Sequence, residues 1–331
     1  MDAAAPQRLD AAAPDALAVA AQRLRDGRLV AFPTETVYGL GANAADDAAV
    51  AGIFAAKGRP ADHPLIVHVA DAAAALAFAA GLPPHAQRLM DAFWPGPLTV
   101  IVPRRDGVAQ AAAGGQGTIG LRSPAHPVAR ALLAACAPLG VAGLAAPSAN
   151  RFGRISPTTA QHVLGEFDAA VTVLDGGACE VGIESTIVDC SRAEPVLLRP
   201  GVLTRAQIEA VLGEPLRERD AAAPRASGTL EAHYAPRAKL RLMETAMLRT
   251  ALDVLGESPA RLAVYSRSAI AVPRGVLRRR MPDAAVDAAR ELFAVLREID
   301  AAGVDLIWVE APPQAPEWEG VRDRLLRAAA S

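Results

Sequence analysis

Short apolar runs alternate with helix-forming stretches along most of this chain, and that alternation confines it to an α/β fold. Runs that read as strands fall at 28–32, 65–69, 98–102, 118–122, 141–145, 171–174, 183–188 and 196–198. Pro14 and Asp15 open a helix that should end at Gly27, and Asp46 caps one that runs to Ala56 before Gly58 and Pro60 stop it. Further helical stretches lie around 72–80 and 84–93, and from Pro127 to near Ala135. Ser156 and Pro157 carry a helix-start signature for a stretch reaching Leu164, and Thr204 caps one reaching Leu212. The Ala-rich residues 1–13 read as a loose tail.

The pattern breaks between the two halves. Residues 214–238 hold Pro215, Pro224, Gly228 and Pro236 with few large apolar residues, which reads as a linker. After it, strand and helix alternate near 239–243, 245–254, 261–265, 284–301, 304–309 and 319–329. The expected organisation is a tail (1–13), a first domain (14–213), a linker or lid (214–238) and a small α/β domain with a parallel sheet (239–331).

Charge and motif content exclude several classes. The 34 Lys+Arg nearly balance 36 Asp+Glu, so bulk attraction to a polyanion is not expected. Cys136, Cys179 and Cys190 are too few and too scattered for a disulfide framework or a Cys-rich zinc site. The chain has no basic-then-apolar leader and no long uninterrupted apolar run, so a cytoplasmic protein without membrane contact is expected. There is no Gly-x-x-x-x-Gly-Lys-[Ser/Thr] loop, Gly39-Leu-Gly41 lacks the third glycine of a dinucleotide fingerprint, and neither Gly-x-Ser-x-Gly nor His-Glu-x-x-His occurs.

Four places gather the polar residues. Pro33–Asn43 reads as a strand-to-helix loop offering Thr34, Glu35, Thr36 and Tyr38 where ligands bind in open α/β sheets. Lys57-Gly-Arg59-Pro60, running on to His63 and His68, sets two cations around one glycine. They suit a phosphate, with Arg as a fork and Lys as a point charge. Lys57 and Lys239 are the only lysines in an Arg-rich chain, a compositional hint that position 57 needs a compact ammonium, although a cation at a helix end also offsets the helix dipole. Ser148 and Asn150 follow a strand and could bind a phosphate, a ribose or Mg²⁺, although an ordinary turn uses the same residue types. Thr118, Arg122, Ser185 and Arg199 fall near strand ends, where Arg122 could pair with a carboxylate. Together these describe a phosphate-and-carboxylate site without a protein nucleophile, suited to a transfer driven by positioning and charge.

Seven segments then occur in one order: Pro33-Thr-Glu-Thr-Val-Tyr-Gly-Leu-Gly, Lys57-Gly-Arg-Pro with Pro64-Leu-Ile-Val-His-Val, Trp94-Pro-Gly-Pro-Leu-Thr, Gly117-Thr-Ile-Gly-Leu-Arg, Ala146-Pro-Ser-Ala-Asn, Glu184-Ser-Thr-Ile-Val-Asp and Leu198-Arg-Pro-Gly. In this the chain resembles the YrdC-like threonylcarbamoyl-AMP synthase family over about residues 15–213. His233-Tyr-Ala-Pro236 and the segment beyond resemble its long, two-domain form.

The resemblance implies an open, twisted, mixed α/β sheet around a concave pocket, followed by a small Rossmann-like α/β domain. It implies a nucleotidyltransferase that makes threonylcarbamoyl-AMP and pyrophosphate from L-threonine, bicarbonate or CO₂, and ATP with Mg²⁺. A tRNA-modifying transferase complex would receive the product, for threonylcarbamoyladenosine beside the anticodon. Lys57 and Arg59 would act on the ATP phosphates, completed by Ser148 and Asn150. His63, Thr118, Ser156 and Arg199 would lie near the nucleotide, with Tyr234 reaching over it from the linker. Thr36, His68, Arg122, Ala146 and Ser185 would line the threonine side. The metal's ligands are not implied.

Two other readings use the same scaffold. A double-stranded RNA-binding module is one, but residues 1–235 carry 19 Lys+Arg against 23 Asp+Glu, a net of −4, which disfavours affinity built on phosphate neutralisation. An enzyme acting on carbamoyl phosphate is the other; such proteins carry zinc-finger segments, and no paired Cys-x-x-Cys occurs here.

Overall fold

The computed structural model describes residues 6–255 and 261–331. The chain divides into two compact units, Met1–Phe152 with Ser156–Thr229, and Gly153–Ile155 with Leu230–Ser331.

In the first unit the strands are β1 (Gln7–Asp10), β2 (Leu29–Phe32), β3 (Gly39–Asn43), β4 (Ile66–His68), β5 (Leu98–Pro103), β6 (Thr118–Arg122), β7 (Leu144–Ala145), β8 (Val171–Asp175), β9 (Thr186–Asp189) and β10 (Val196–Arg199). They join one mixed sheet in the order β1-β8-β2-β3-β7-β4-β6-β5-β9-β10. The helices are α1 (Ala16–Arg25), α2 (Asp47–Lys57), α3 (Ala72–Ala75), α4 (Pro84–Phe93), α5 (Pro127–Cys136), α6 (Ala160–Leu164) and α7 (Arg205–Leu212).

Strand periodicity explains the layering. Along β2, Leu29 and Ala31 join a core with Ile53, Phe54, Val67 and Phe78, whereas Val30 and Phe32 join a second core with Leu24, Leu132 and Leu133. Both faces are covered there, which is why the run is apolar at every position. At the other end of the sheet the second face carries Ile66, Ile101, Ile187, Val196 and Leu198, and Ala223 and Ala226 pack on it in place of a helix. That segment is pinned by side chains. Arg225 pairs with Asp62 at 2.6 Å, its N–H donates to Gln116, and Arg199 donates to the Ser227 carbonyl at 2.9 Å.

Three expectations need correction. Residues 7–10 of the expected tail are not loose, because β1 pairs in parallel with β8 and Arg8 bridges to Asp175 at 2.7 Å. Pro33–Asn43 is not loop throughout, since its second half is β3, antiparallel to β2. A Cβ at Gly41 would meet the Phe32 ring at 2.8 Å, so the glycine permits that close approach. Ser156 starts no helix: α6 begins at Ala160, capped by Thr159 accepting from the His162 N–H, while the Pro157 carbonyl accepts from the Tyr38 N–H.

The second unit holds β11 (Lys239–Met243), β12 (Leu262–Ser266), β13 (Leu277–Arg280) and β14 (Leu306–Glu310), all parallel, in the order β11-β14-β12-β13. Its helices are α8 (Thr245–Leu255), α9 (Ala285–Ala301) and α10 (Glu319–Ala329). On α9, Ala285, Ala288, Ala289, Leu292, Phe293, Leu296 and Ile299 are buried, the spacing of one helical face. β13, with charged Arg278, Arg279 and Arg280, carried no strand signal in the sequence.

Candidate active site

Alternation along the strands places the candidates on one face. Ile66 and Ile101 belong to the cluster beneath the 223–226 segment, so His68 and Thr99, two residues away from each, share that face. Gly120 pairs with Ile66 and Arg122 with His68, which carries the same face onto β6. A narrow cavity under residues 225–227 is lined by Ile66, Thr99, Ile101, Thr118 and Gly120.

One buried polar group on this face centres on Arg122. Its guanidinium lies 2.8 Å from Glu35 Oε1, donates through Nη1 to Thr36 Oγ1 at 2.8 Å, and donates through Nε to the Gly96 carbonyl at 3.3 Å. Thr36 is itself held by Thr34, hydroxyl to hydroxyl at 2.8 Å. Glu35 Oε2 accepts from the Ala125 N–H at 3.1 Å. Arg122, Glu35, Thr36 and His68 are all buried.

Beside it, Ser185 is set by two neighbours. Its hydroxyl meets Thr99 Oγ1 at 2.8 Å, and Arg199 donates to both its carbonyl and its hydroxyl. Arg199 thus ties Ser185 to the overlying segment. Ser156 hydrogen-bonds to Glu184, the residue before Ser185. The Ala146 N–H donates to the Ile66 carbonyl, which fixes that backbone next to β4.

The phosphate candidates form a second group. Asp46 caps α2 and Gly58 ends it in the left-handed conformation, so Lys57 is its last residue. The Lys57 ammonium is buried and donates to the Ser148 carbonyl at 2.6 Å and to the Asn150 carbonyl. Two sequence motifs about ninety residues apart are thus tied by one side chain. Burial, reinforced by the Arg59 charge, holds the Lys57 pKa well below the usual lysine range. Arg59 donates to the Pro64 carbonyl and lies over the Phe152 ring, which His63 also meets edge-on. Burial, then Arg59, lowers the His63 pKa.

Sequence reasoning offered Glu35 only as a carboxylate in the ligand-side loop, without a partner, and named no role for Thr99 or Glu184, although all three lie in the quoted motifs. The period-two register of Thr99 with Ile101 was the available signal. Tyr234 belongs to the second unit. Its backbone has φ +64°, its ring sits 5.3 Å from that of Phe293, and Arg324 lies over it at 5.5 Å. Among the described residues no cluster of three His, Cys, Asp or Glu could hold a metal.

This geometry sits in a chain with extensive kin. Residues 22–201 match the family described as "Telomere recombination", and residues 203–330 match the one described as "Threonylcarbamoyl-AMP synthase, C-terminal domain". A threonylcarbamoyl-AMP synthase of Pyrococcus abyssi is 39% identical over 323 residues, spanning 94% of this chain and 93% of that protein. The chain belongs to the threonylcarbamoyl-AMP synthase family. Its relative in Bacillus subtilis, of the same name, is 38% identical over 95% of this chain and 92% of that protein. The crystal structure of Pyrococcus abyssi Sua5 complexed with L-threonine aligns at a TM-score of 0.85 and 36% identity, covering 98% of this chain and 97% of that one.

In this family member His68 is a neutral side chain. Burial first, and then the Arg122 charge, pull its pKa down to about 3. The folded value lies below the unfolded one, near 6.5, so its contribution to stability is complete above pH 6.5 and is lost as pH falls toward 3. Within that window this residue alone should tilt stability by roughly 1.4 kcal/mol per pH unit. Urea unfolding of His68→Gln between pH 7 and 4 should show a shallower acid loss than the native chain. Equal slopes would mean that His68 does not titrate this way.

Proposed function

We propose that this chain is an L-threonylcarbamoyladenylate synthase, a nucleotidyltransferase that joins L-threonine, bicarbonate or CO₂, and ATP into threonylcarbamoyl-AMP and pyrophosphate. The observation that carries this reading is that kinship to proteins of that name runs through both units, at 35–39% identity over nearly the full chain.

The residues fit the chemistry. Threonine's amine takes up CO₂ as a carbamate and releases a proton. A carbamate oxygen then attacks the α-phosphorus while the bond to pyrophosphate breaks. No protein nucleophile enters. The protein must hold a carboxylate, which suits Arg122 with Thr36, and stabilise a departing polyanion, which suits Lys57 and Arg59. His68, Ala146 and Ser185 line the amino-acid side. Ser148, Asn150, His63, Thr118, Ser156 and Arg199 are assigned to the nucleotide side.

Mg²⁺ would accompany ATP and neutralise its phosphates; the neutral oxygens of Ser148 and Asn150 suit that hard cation better than they suit a transition metal. The product would pass to a tRNA-modifying transferase complex in the cytoplasm. No helix among the described residues is long and apolar enough to cross a membrane.

Pyrophosphate release from ATP with Mg²⁺ tests this directly, with L-threonine or bicarbonate omitted in turn. Release should need both, and serine should replace threonine poorly. Release that ignores threonine would refute the proposal.

A further inference from the structure

Arg122 has a buried carboxylate beside it that none of the assigned roles uses. Glu35 Oε1 and Arg122 Nη2 are 2.8 Å apart, yet the N–H does not point at the oxygen, and neither atom has a well-aligned hydrogen bond. Each of the other polar atoms on the two side chains has a partner. Glu35 Oε2 takes the Ala125 N–H, while Arg122 Nε and Nη1 are turned to Gly96 and Thr36. One acceptor and one donor, held to each other only by a poorly aligned ion pair, therefore lie next to each other in a buried place, where polar atoms without a good hydrogen bond are costly.

An α-amino acid presents the complementary pair on a single carbon. Its carboxylate needs a donor and its ammonium needs an acceptor. A zwitterion carries no net charge, so it can enter beside an ion pair without leaving any buried charge unmatched, provided both ends find partners. A substrate held by Arg122 alone would leave its ammonium buried opposite a cation. We propose that Glu35 receives the ammonium end of the amino-acid substrate through Oε1 while Arg122 takes the carboxylate. This rests on the reading of L-threonine as the substrate and adds a residue to it. Glu35 also selects for the α-amino group, because an analogue with a hydroxyl there offers no positive charge to the carboxylate.

The test is calorimetric binding to the full chain, with L-threonine and with its analogue bearing a hydroxyl in place of the amine. In the native chain threonine should bind more tightly than the analogue. In Glu35→Gln, threonine should weaken about tenfold or more, the scale of a lost charge-assisted bond, while the analogue changes by no more than about twofold. Glu35→Asp keeps the charge, should retain part of the preference, and guards against a folding defect in the amide. If Glu35 only braces Arg122, both ligands weaken together, and that result overturns the proposal, as does unchanged threonine binding. Failure here is separable from failure of the synthase reading, which shows instead as pyrophosphate release that ignores threonine.

Discussion

Lys57→Ala is expected to cut pyrophosphate release by about 10²-fold or more, the scale of removing one preorganised charge-stabilising group. The ammonium has three N–H donors, and the carbonyls of Ser148 and Asn150 take two of them. In the proposed reaction a phosphate oxygen would take the third. Burial and the Arg59 charge make the bare ammonium unfavourable, so an anion arriving between Lys57 and Arg59 relieves both effects at once. The same contacts set the second half of the expectation. Lys57→Arg should not rescue turnover, because a planar fork does not fit the pocket that a compact ammonium fills between two carbonyls. Each carbonyl left without its donor costs about 1–3 kcal/mol, so urea unfolding must accompany the assay and show a folded variant. Near-native turnover in folded Lys57→Ala would remove this residue from the phosphate site.

The alternation of runs was sufficient for the layers wherever both sheet faces are apolar, as along Leu29–Phe32 and Leu262–Ser266, because burial on both sides leaves a continuous signal. It failed at β1 and β13. Gln7–Asp10 is an edge strand with mostly exposed side chains, and Leu277–Arg280 presents three arginines. Backbone pairing holds both, and pairing leaves no mark in side-chain polarity. The helix-start signal at Ser156-Pro157 competed with a stronger tertiary demand, the Ser156 bond to Glu184 and the Pro157 bond to Tyr38. The motifs located the candidate residues, but not who holds whom. That Lys57 binds loop carbonyls and that Arg122 already faces Glu35 depend on contacts spanning roughly ninety residues each, which spacing along the chain does not encode.

Arg122→Met should show the largest loss of stability as well as of function. It removes the guanidinium assigned to the substrate carboxylate, so the apparent affinity for threonine should fall by about 10²-fold, the scale of a lost charge-assisted hydrogen bond. It also strands Glu35, which is buried with only the Ala125 N–H left to it. Breaking a buried ion pair from one side costs roughly 3–5 kcal/mol, chiefly through the charge left behind. Removing that charge too should reverse much of the loss. The double variant Glu35→Gln/Arg122→Met is therefore expected to unfold at a higher urea midpoint than Arg122→Met alone, while remaining equally unable to use threonine. Equal midpoints would show that the two side chains are not coupled, despite their 2.8 Å separation. A recovered midpoint with activity still absent would separate what this pair does for the fold from what it does for the substrate. The stability of the pair needs only that its charges cancel, whereas the proposed contact with the substrate carboxylate needs the guanidinium itself.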